Sequence, residues 1–295
     1  MKISIRLFID NELGGKFVTG LVIRKATMND IKGIQNIHRN CNDPWDNETE
    51  CRSWVEKRLD RGFYIQVAVL NNRIVGHGEW IVSDEPTNKF LYLGLLQIDS
   101  DYQKQGIGRA MLNDGQYYAR QNGCKSIVTI PDKETGSISF YRKCGFTHGR
   151  NIKQIKIPTI KHTDYNSNNK RIDHVPFSII KELPFIFGLS QISSRHMWEV
   201  CNEPPKSDDR LTPAIRTAEG DFVQFSYYKP SDTGLVLCWS PSNDIDRLLK
   251  NILCFGYECG LKQAKFSFFE QYEHFFSGLS TTIVNDPDIE LLKCI

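Results

Sequence analysis

The chain has 295 residues, 40% hydrophobic and 24% charged, proportions of a soluble globular protein whose length fits two domains of ordinary size. A formal net charge of +2 concentrates too little positive charge to displace the counterions of a nucleic acid, so no nucleic-acid partner is expected. No apolar run reaches the ~18 residues of a membrane-crossing helix, so no membrane partner is expected.

Residues 1–9 alternate apolar and charged side chains and read as a strand rather than a signal peptide. The nine cysteines contain no C-x-x-C pair and no histidine cluster to complete a tetrahedral site. No metal is expected, and an odd cysteine count fits reduced thiols in the cytoplasm.

Taken in order, residues 21–24 predict a short strand. Thr27 with Asp30 forms a helix-starting capping box, and Ile31, Ile34 and Ile37 follow at helical spacing. Residues 48–61 predict a second helix with Trp54, Val55 and Leu59 on one side. Strands at 63–70 and 73–83 flank Asn71-Asn72, a two-residue hairpin turn. Residues 90–98 are almost continuously apolar and predict a central strand buried on both faces. A glycine loop leads into a helix ending at Asn122-Gly123, then come a strand at 126–130, a short helix at 135–143 and a strand from Phe146. Residues 161–173 are polar and predict a linker. Beyond them, 175–187 reads as extended, 191–201 and 244–259 as helical, and 222–228, 234–239 and 264–269 as strands. The order is mixed α/β.

The chemistry concentrates at the junction of the strand at 90–98 and the glycine loop. There a buried strand ending Leu96-Gln97-Ile98 turns through Asp99 into Gln103-Lys104-Gln105-Gly106-Ile107-Gly108-Arg109-Ala110. A helix start offers backbone N–H groups without intrahelical partners and a partial positive charge, which suit a phosphate. A tight turn into a helix would use the same two glycines. About forty residues on stands Ser137-Ile138-Ser139-Phe140-Tyr141-Arg142-Lys143-Cys144-Gly145-Phe146.

Together the two motifs resemble the GNAT superfamily of N-acetyltransferases over roughly residues 21–157. Its phosphate loop reads Q/R-x-x-G-x-G/A, matched by Gln103, Gly106 and Gly108, and its second signature is a small residue, then F/L-Y-x-x-x-G-F. The resemblance implies a mixed, α+β-like fold with a central splayed sheet. It also implies acetyl-coenzyme A as co-substrate and a primary amine, of a small molecule or a peptide, as acceptor. Backbone N–H groups from Gln103 through Arg109, and into Ala110, would hold the pyrophosphate. Leu96, Gln97 and Ile98 would pair with the pantetheine arm, with the N–H of Ile98 or its neighbour on the thioester carbonyl. Tyr141 would be the general acid. Lys143 is placed to reach a phosphate or to remain a solvated surface lysine. One departure stands at Glu134, where the family often has an asparagine that helps hold the pantetheine.

A base is needed for the amine. Glu79, a carboxylate among apolar strand residues, and Asp99, at the mouth of the splayed sheet, are candidates, with His77 a weaker third. A surface glutamate and a turn-capping aspartate would look the same. Residues 40–61, including Asp43, Trp45, Asp46 and Glu48, would suit a cationic amine, and a polar loop between helices would look the same.

The second half mirrors the first. Gly106 to Gly123 and Asn243 to Gly260 are both 17 residues apart, and Phe275-Phe276 falls near where Phe140-Tyr141 would stand. The loop there, Pro241-Ser242-Asn243-Asp244-Ile245-Asp246, lacks paired glycines and carries two carboxylates. A GNAT domain over 1–160, a linker over 161–174 and, over 175–295, a degenerate copy or else an unrelated α/β domain, in a monomer or homodimer, are expected. A catalytically idle acyl-coenzyme A sensor is the alternative.

Overall fold

The structure, a computed structural model, describes residues 19–41, 48–83, 89–132, 136–161, 169–173, 175–188, 198, 210–284 and 288–295. The expected strand at 1–9, Asp43, Trp45, Asp46, Glu134, Cys201 and most of the expected helix at 191–201 lie outside these residues. The chain divides into two compact units, Met1–Thr147 with Leu291–Ile295, and His148–Glu290.

The first unit runs β1 (Leu21–Lys25), α1 (Ile31–Asn40), α2 (Glu48–Asp60), β2 (Tyr64–Leu70), β3 (Arg73–Val82), β4 (Phe90–Ile98), α3 (Ile107–Gln121), β5 (Ser126–Thr129) and α4 (Ser137–Lys143). Strands β1 to β4 form an antiparallel meander, and β5 joins β4 in parallel. The entry to α1 is made by Asp30, whose carboxylate accepts from the Thr27 backbone N–H (2.7 Å) and hydroxyl (2.9 Å) and pairs with Arg24 at 2.7 Å. Asn71 and Asn72 both take positive φ, 49° and 60°, which two-residue turns between twisted strands require.

Helix α3 lies on β3 through a close approach. A Cβ on Gly115 would stand 2.3 Å from the ring of Trp80, a residue 0% exposed. Beside it, the buried Gln66 amide donates to Asp114 (2.7 Å) and to the Met111 carbonyl (3.1 Å), and its oxygen accepts from the Trp80 indole at 3.1 Å. This network joins two strands to one helix with each polar group satisfied, so it specifies the packing as well as stabilising it.

The second unit holds β6 (Thr147–Pro158, beginning one residue before the division), β7 (Lys170–Ile172), α5 (Phe177–Ile180), β8 (Phe185–Phe187), β9 (Arg210–Leu211), β10 (Ala214–Arg216), β11 (Phe222–Tyr228), β12 (Thr233–Trp239), α6 (Ile245–Glu258), β13 (Gln263–Phe269), β14 (Thr282–Ile283) and β15 (Asp288–Cys294), whose last residues return to the first unit. Its sheet order is β6-β13-β12-β11-β10-β7. The passage β12–α6–β13 repeats β4–α3–β5, including a parallel pairing confined to the strand starts, Thr233–Leu235 against Gln263–Lys265. Both helices end at a left-handed glycine, Gly123 (φ 68°) and Gly260 (φ 77°), the usual helix stop.

Three local expectations change. Lys170–Ile172, within the polar stretch expected as a linker, forms an edge strand on β10; an edge position needs no apolar period. Residues 177–180 are helical rather than extended, because four residues after Pro176 carry no period that separates the two states. Strand β4 is central but not buried throughout: Leu91–Leu93 are buried, Gly94 is exposed and Leu95–Ile98 are half-buried or nearly so. Its apolar run continues past the point where its neighbour β5 ends.

Replacing Gly115 by alanine is expected to cost about 1–3 kcal/mol by overpacking against Trp80. Urea unfolding should show a lower midpoint at unchanged slope, and an unchanged midpoint would refute the close approach.

Candidate active site

The site is set by where β4 and β5 part. Their pairing covers Phe90–Leu93 against Ser126–Thr129 and stops. At the same place Gly94 is an extra residue in β4, since Trp80 faces Leu93 and Glu79 faces Leu95. A bulge bends its strand and re-aims the groups beyond it. Leu95 to Ile98 therefore pair with β3 on one side, while β5 has ended on the other.

Thr129, the last residue of β5, donates its hydroxyl to the Leu93 carbonyl at 3.0 Å and stands beside the Tyr141 hydroxyl. Tyr141 is 7% exposed and is flanked edge-on by Phe140 and Phe146, with centroids at 5.2 and 5.3 Å. Burial pushes its pKa up to about 12 against the opposing pull of Thr129. The phenol holds its proton at the fork between the strands.

The loop between Ile98 and α3 is braced by its own side chains. Gln103 donates to the Ile98 carbonyl and Gln105 to the Asp101 carbonyl, each at 3.1 Å. Lys104 (φ 59°) and Gly106 (φ 90°) are left-handed, and such alternation points successive N–H groups into a common concavity. Gly106 is the N-cap of α3 and has no side chain to occupy the helix's first N–H groups, so that end stays available to an anion. Gly108 serves a different purpose. A Cβ there would stand 3.1 Å from the Phe140 ring, so glycine lets α3 approach the helix that carries Tyr141. Arg142 and Lys143 line a shallow open pocket with Gly136, Ile138 and Ser139, and Arg142 is exposed.

The base candidates have different surroundings. Asp99 is 1% exposed; it accepts from Asn40 (3.1 Å), Arg73 (3.0 Å) and the Asp101 N–H (3.2 Å). It fastens the loop to α1 and β3. Glu79 is 6% exposed and accepts from the Trp54 indole at 2.9 Å. His77 Nε2 lies 3.8 Å from the same carboxylate oxygen, and its Nδ1 lies 3.1 Å from His38 Nε2. Burial, then the neighbouring His38, holds the His77 pKa well below its ordinary range. Sequence reasoning did not single out His38, Trp54 or Thr129 as site residues. Only His38 left a signal, a histidine at i+4 from Ile34 on the buried stripe of α1.

At the start of α6 in the second unit the protein's own side chains supply the hydrogen bonds. Asp244 caps α6, accepting from the Arg247 N–H at 3.1 Å. The 0%-exposed Asp221 takes hydrogen bonds from Ser240 (2.5 Å) and Thr217 (2.9 Å) and faces Arg247 at 3.5 Å. Phe276 packs among Phe187, Phe266 and Phe268. Among the described residues no cluster of three His, Cys, Asp or Glu side chains could hold a metal ion, the eight described cysteines are free thiols, and no helix is long and apolar enough to cross a membrane.

Because His77 stays neutral when folded but takes up a proton when unfolded, its share of stability is whole above its ordinary pKa of 6.5. It is lost as pH falls from there toward the lowered folded value, by about 1.4 kcal/mol per pH unit. His77→Gln should remove that slope in urea titrations run between about pH 7 and pH 5; an identical slope in the variant would contradict a neutral buried imidazole.

Comparison with known proteins gives one family match: residues 31–146 fit the model of the acetyltransferase (GNAT) family. An uncharacterized N-acetyltransferase of Methanocaldococcus jannaschii is 28% identical over 105 residues, 34% of this chain and 45% of the relative. The match thus spans less than half of that relative's length. Among solved structures, a GCN5-related N-acetyltransferase from Anabaena variabilis is similar with a TM-score of 0.67 and 12% identity, over 93% of this chain and 72% of that one. A protein of Pyrococcus horikoshii assigned as an acetyltransferase has a TM-score of 0.62 and 16% identity, over 97% and 93%. At these identities the likeness is one of fold, and it extends over both halves of the chain.

Proposed function

We propose that the first unit, whose residues 31–146 fit the acetyltransferase (GNAT) family model, transfers an acetyl group from acetyl-coenzyme A to a primary amine of a small molecule or peptide. The observation that carries this reading is the buried Tyr141 phenol beside Thr129 at the fork of β4 and β5, with the glycine-capped start of α3 packed against the same helix through Gly108 and Phe140. Acetyl-coenzyme A, when bound, supplies the activated thioester.

In this reading the loop from Gln103 and the first turn of α3, through Arg109 and Ala110, hold the pyrophosphate with backbone N–H groups, and Lys143 adds a positive charge nearby. Leu96, Gln97 and Ile98 offer backbone groups on the side that β5 has left. Tyr141 gives its proton to the departing sulfur. Against a thiolate of pKa near 8.5 in water that transfer runs uphill, so it draws on the shared desolvation of the slot, which raises the thiol's pKa as well. Glu79, held by Trp54, takes the proton from the incoming ammonium, and Asp99 holds the loop. The second unit, with carboxylates at its loop and Phe276 in place of a phenol, does not bind coenzyme A.

Calorimetry should detect one coenzyme A site per chain, lost in Gly106→Val, where a β-branched residue cannot take the left-handed cap. Unchanged affinity in that variant would sink the loop assignment. Tyr141→Phe should lower kcat by roughly 10²–10⁴ without changing coenzyme A affinity, read as thiol release across polyamines, aminoglycosides, amino acids and peptides. Binding without turnover on any amine would point instead to an acyl-coenzyme A sensor. Glu79→Gln should depress kcat/KM at neutral pH far more than Asp99→Asn; the reverse order would exchange their roles.

A further inference from the structure

The last residues of the chain reach the acid-bearing helix by two routes. Leu291, 0% exposed, pairs with Thr129, and the ladder continues through Cys294 opposite Ser126, extended by the Ile295 N–H on the Lys125 carbonyl at 3.1 Å. Thr129 stands beside the Tyr141 hydroxyl. Two positions along the same strand, the Lys293 ammonium donates to the Cys144 carbonyl at 2.6 Å. Cys144 is the C-cap of α4.

Helix α4 has seven residues, starts after Gly136 and carries Tyr141. A helix so short is marginal by itself, and its final carbonyls need outside donors. A cation at a helix C-terminus meets both the carbonyl and the negative end of the dipole. Arg142 and Lys143 also stand in the last turn, but both are exposed. The half-buried Lys293 comes from 149 residues away.

We propose that Lys293 is a positioning residue for Tyr141: the terminal strand clasps α4 at its C-terminus, so the acid is held in register only when the chain, having passed through the second unit, returns to complete the first. This rests on the reading of Tyr141 as the general acid. It gives the second half of the chain a function that needs no ligand of its own, delivery of the strand that closes the sheet beside β5.

Hydrogen exchange on the full chain tests the clasp without any acceptor amine. In Lys293→Met, the amides of Cys144, Gly145 and Phe146, which bond to Phe140, Arg142 and Tyr141 carbonyls, should exchange about tenfold faster, as loss of a charge-assisted hydrogen bond implies. The amides of α3 should keep their wild-type rates. Lys293→Gln should fall between, and Lys293→Arg should restore protection. With any amine that turns over, Lys293→Met should lower kcat at unchanged KM for acetyl-coenzyme A, and Lys293→Arg should recover it. Wild-type exchange at all three amides, or equal acceleration in α3 and α4, overturns the clasp. Failure of the unaltered protein to bind coenzyme A in calorimetry would instead sink the coenzyme A reading, with the catalytic part of this proposal but not the exchange result.

Discussion

The parting of β4 from β5 after Leu93 and Thr129 governs most of the chemistry available to the first unit. Backbone N–H and carbonyl groups in a sheet are obligatory hydrogen-bonding groups, and removing a neighbour strand leaves a row of them open. A protein avoids such an edge unless it is short, covered or used. Here β4 runs on past the end of β5 from the bulge at Gly94 to Ile98, and it leads to a helix capped by Gly106. The Tyr141 phenol stands at that fork, flanked by Phe140 and Phe146.

The second unit shows the same arrangement closed off. Its strands β12 and β13 also pair only at their starts, but a serine, a threonine, two aspartates and an arginine fill the helix start with internal hydrogen bonds. Buried carboxylates require such partners. The start of α6 carries a polar network where α3 has its glycine cap, and Phe276 packs in an aromatic cluster with Phe187, Phe266 and Phe268.

The polar residues around β3 differ in how fully their partners engage them, and type alone does not separate them. Asp99 and Glu79 are both buried carboxylates, the first just past the end of β4 and the second within β3. Asp99 is spanned by an arginine, an asparagine and a backbone N–H, which commits its oxygens to the loop. Glu79 accepts from one indole and adjoins a pair of imidazoles, and retains acceptor capacity.

Local periodicity and turn chemistry were legible in the sequence: the Thr27–Asp30 box, the Asn71–Asn72 turn, the glycines ending α3 and α6, and the two motifs whose spacing pointed to Gly106 and Tyr141. These rest on interactions between residues a few positions apart, and short-range sterics and hydrogen bonding determine them whatever surrounds them. Only the tertiary structure decided that β4 is half open, that Gly108 makes room for Phe140 rather than for a ligand, that His38 meets His77, and that Lys293 caps the helix of Tyr141. Those depend on where a neighbouring strand stops and on pairs up to 149 residues apart. Burial and partner identity at such range are properties of the packed sheet, and no local pattern encodes them.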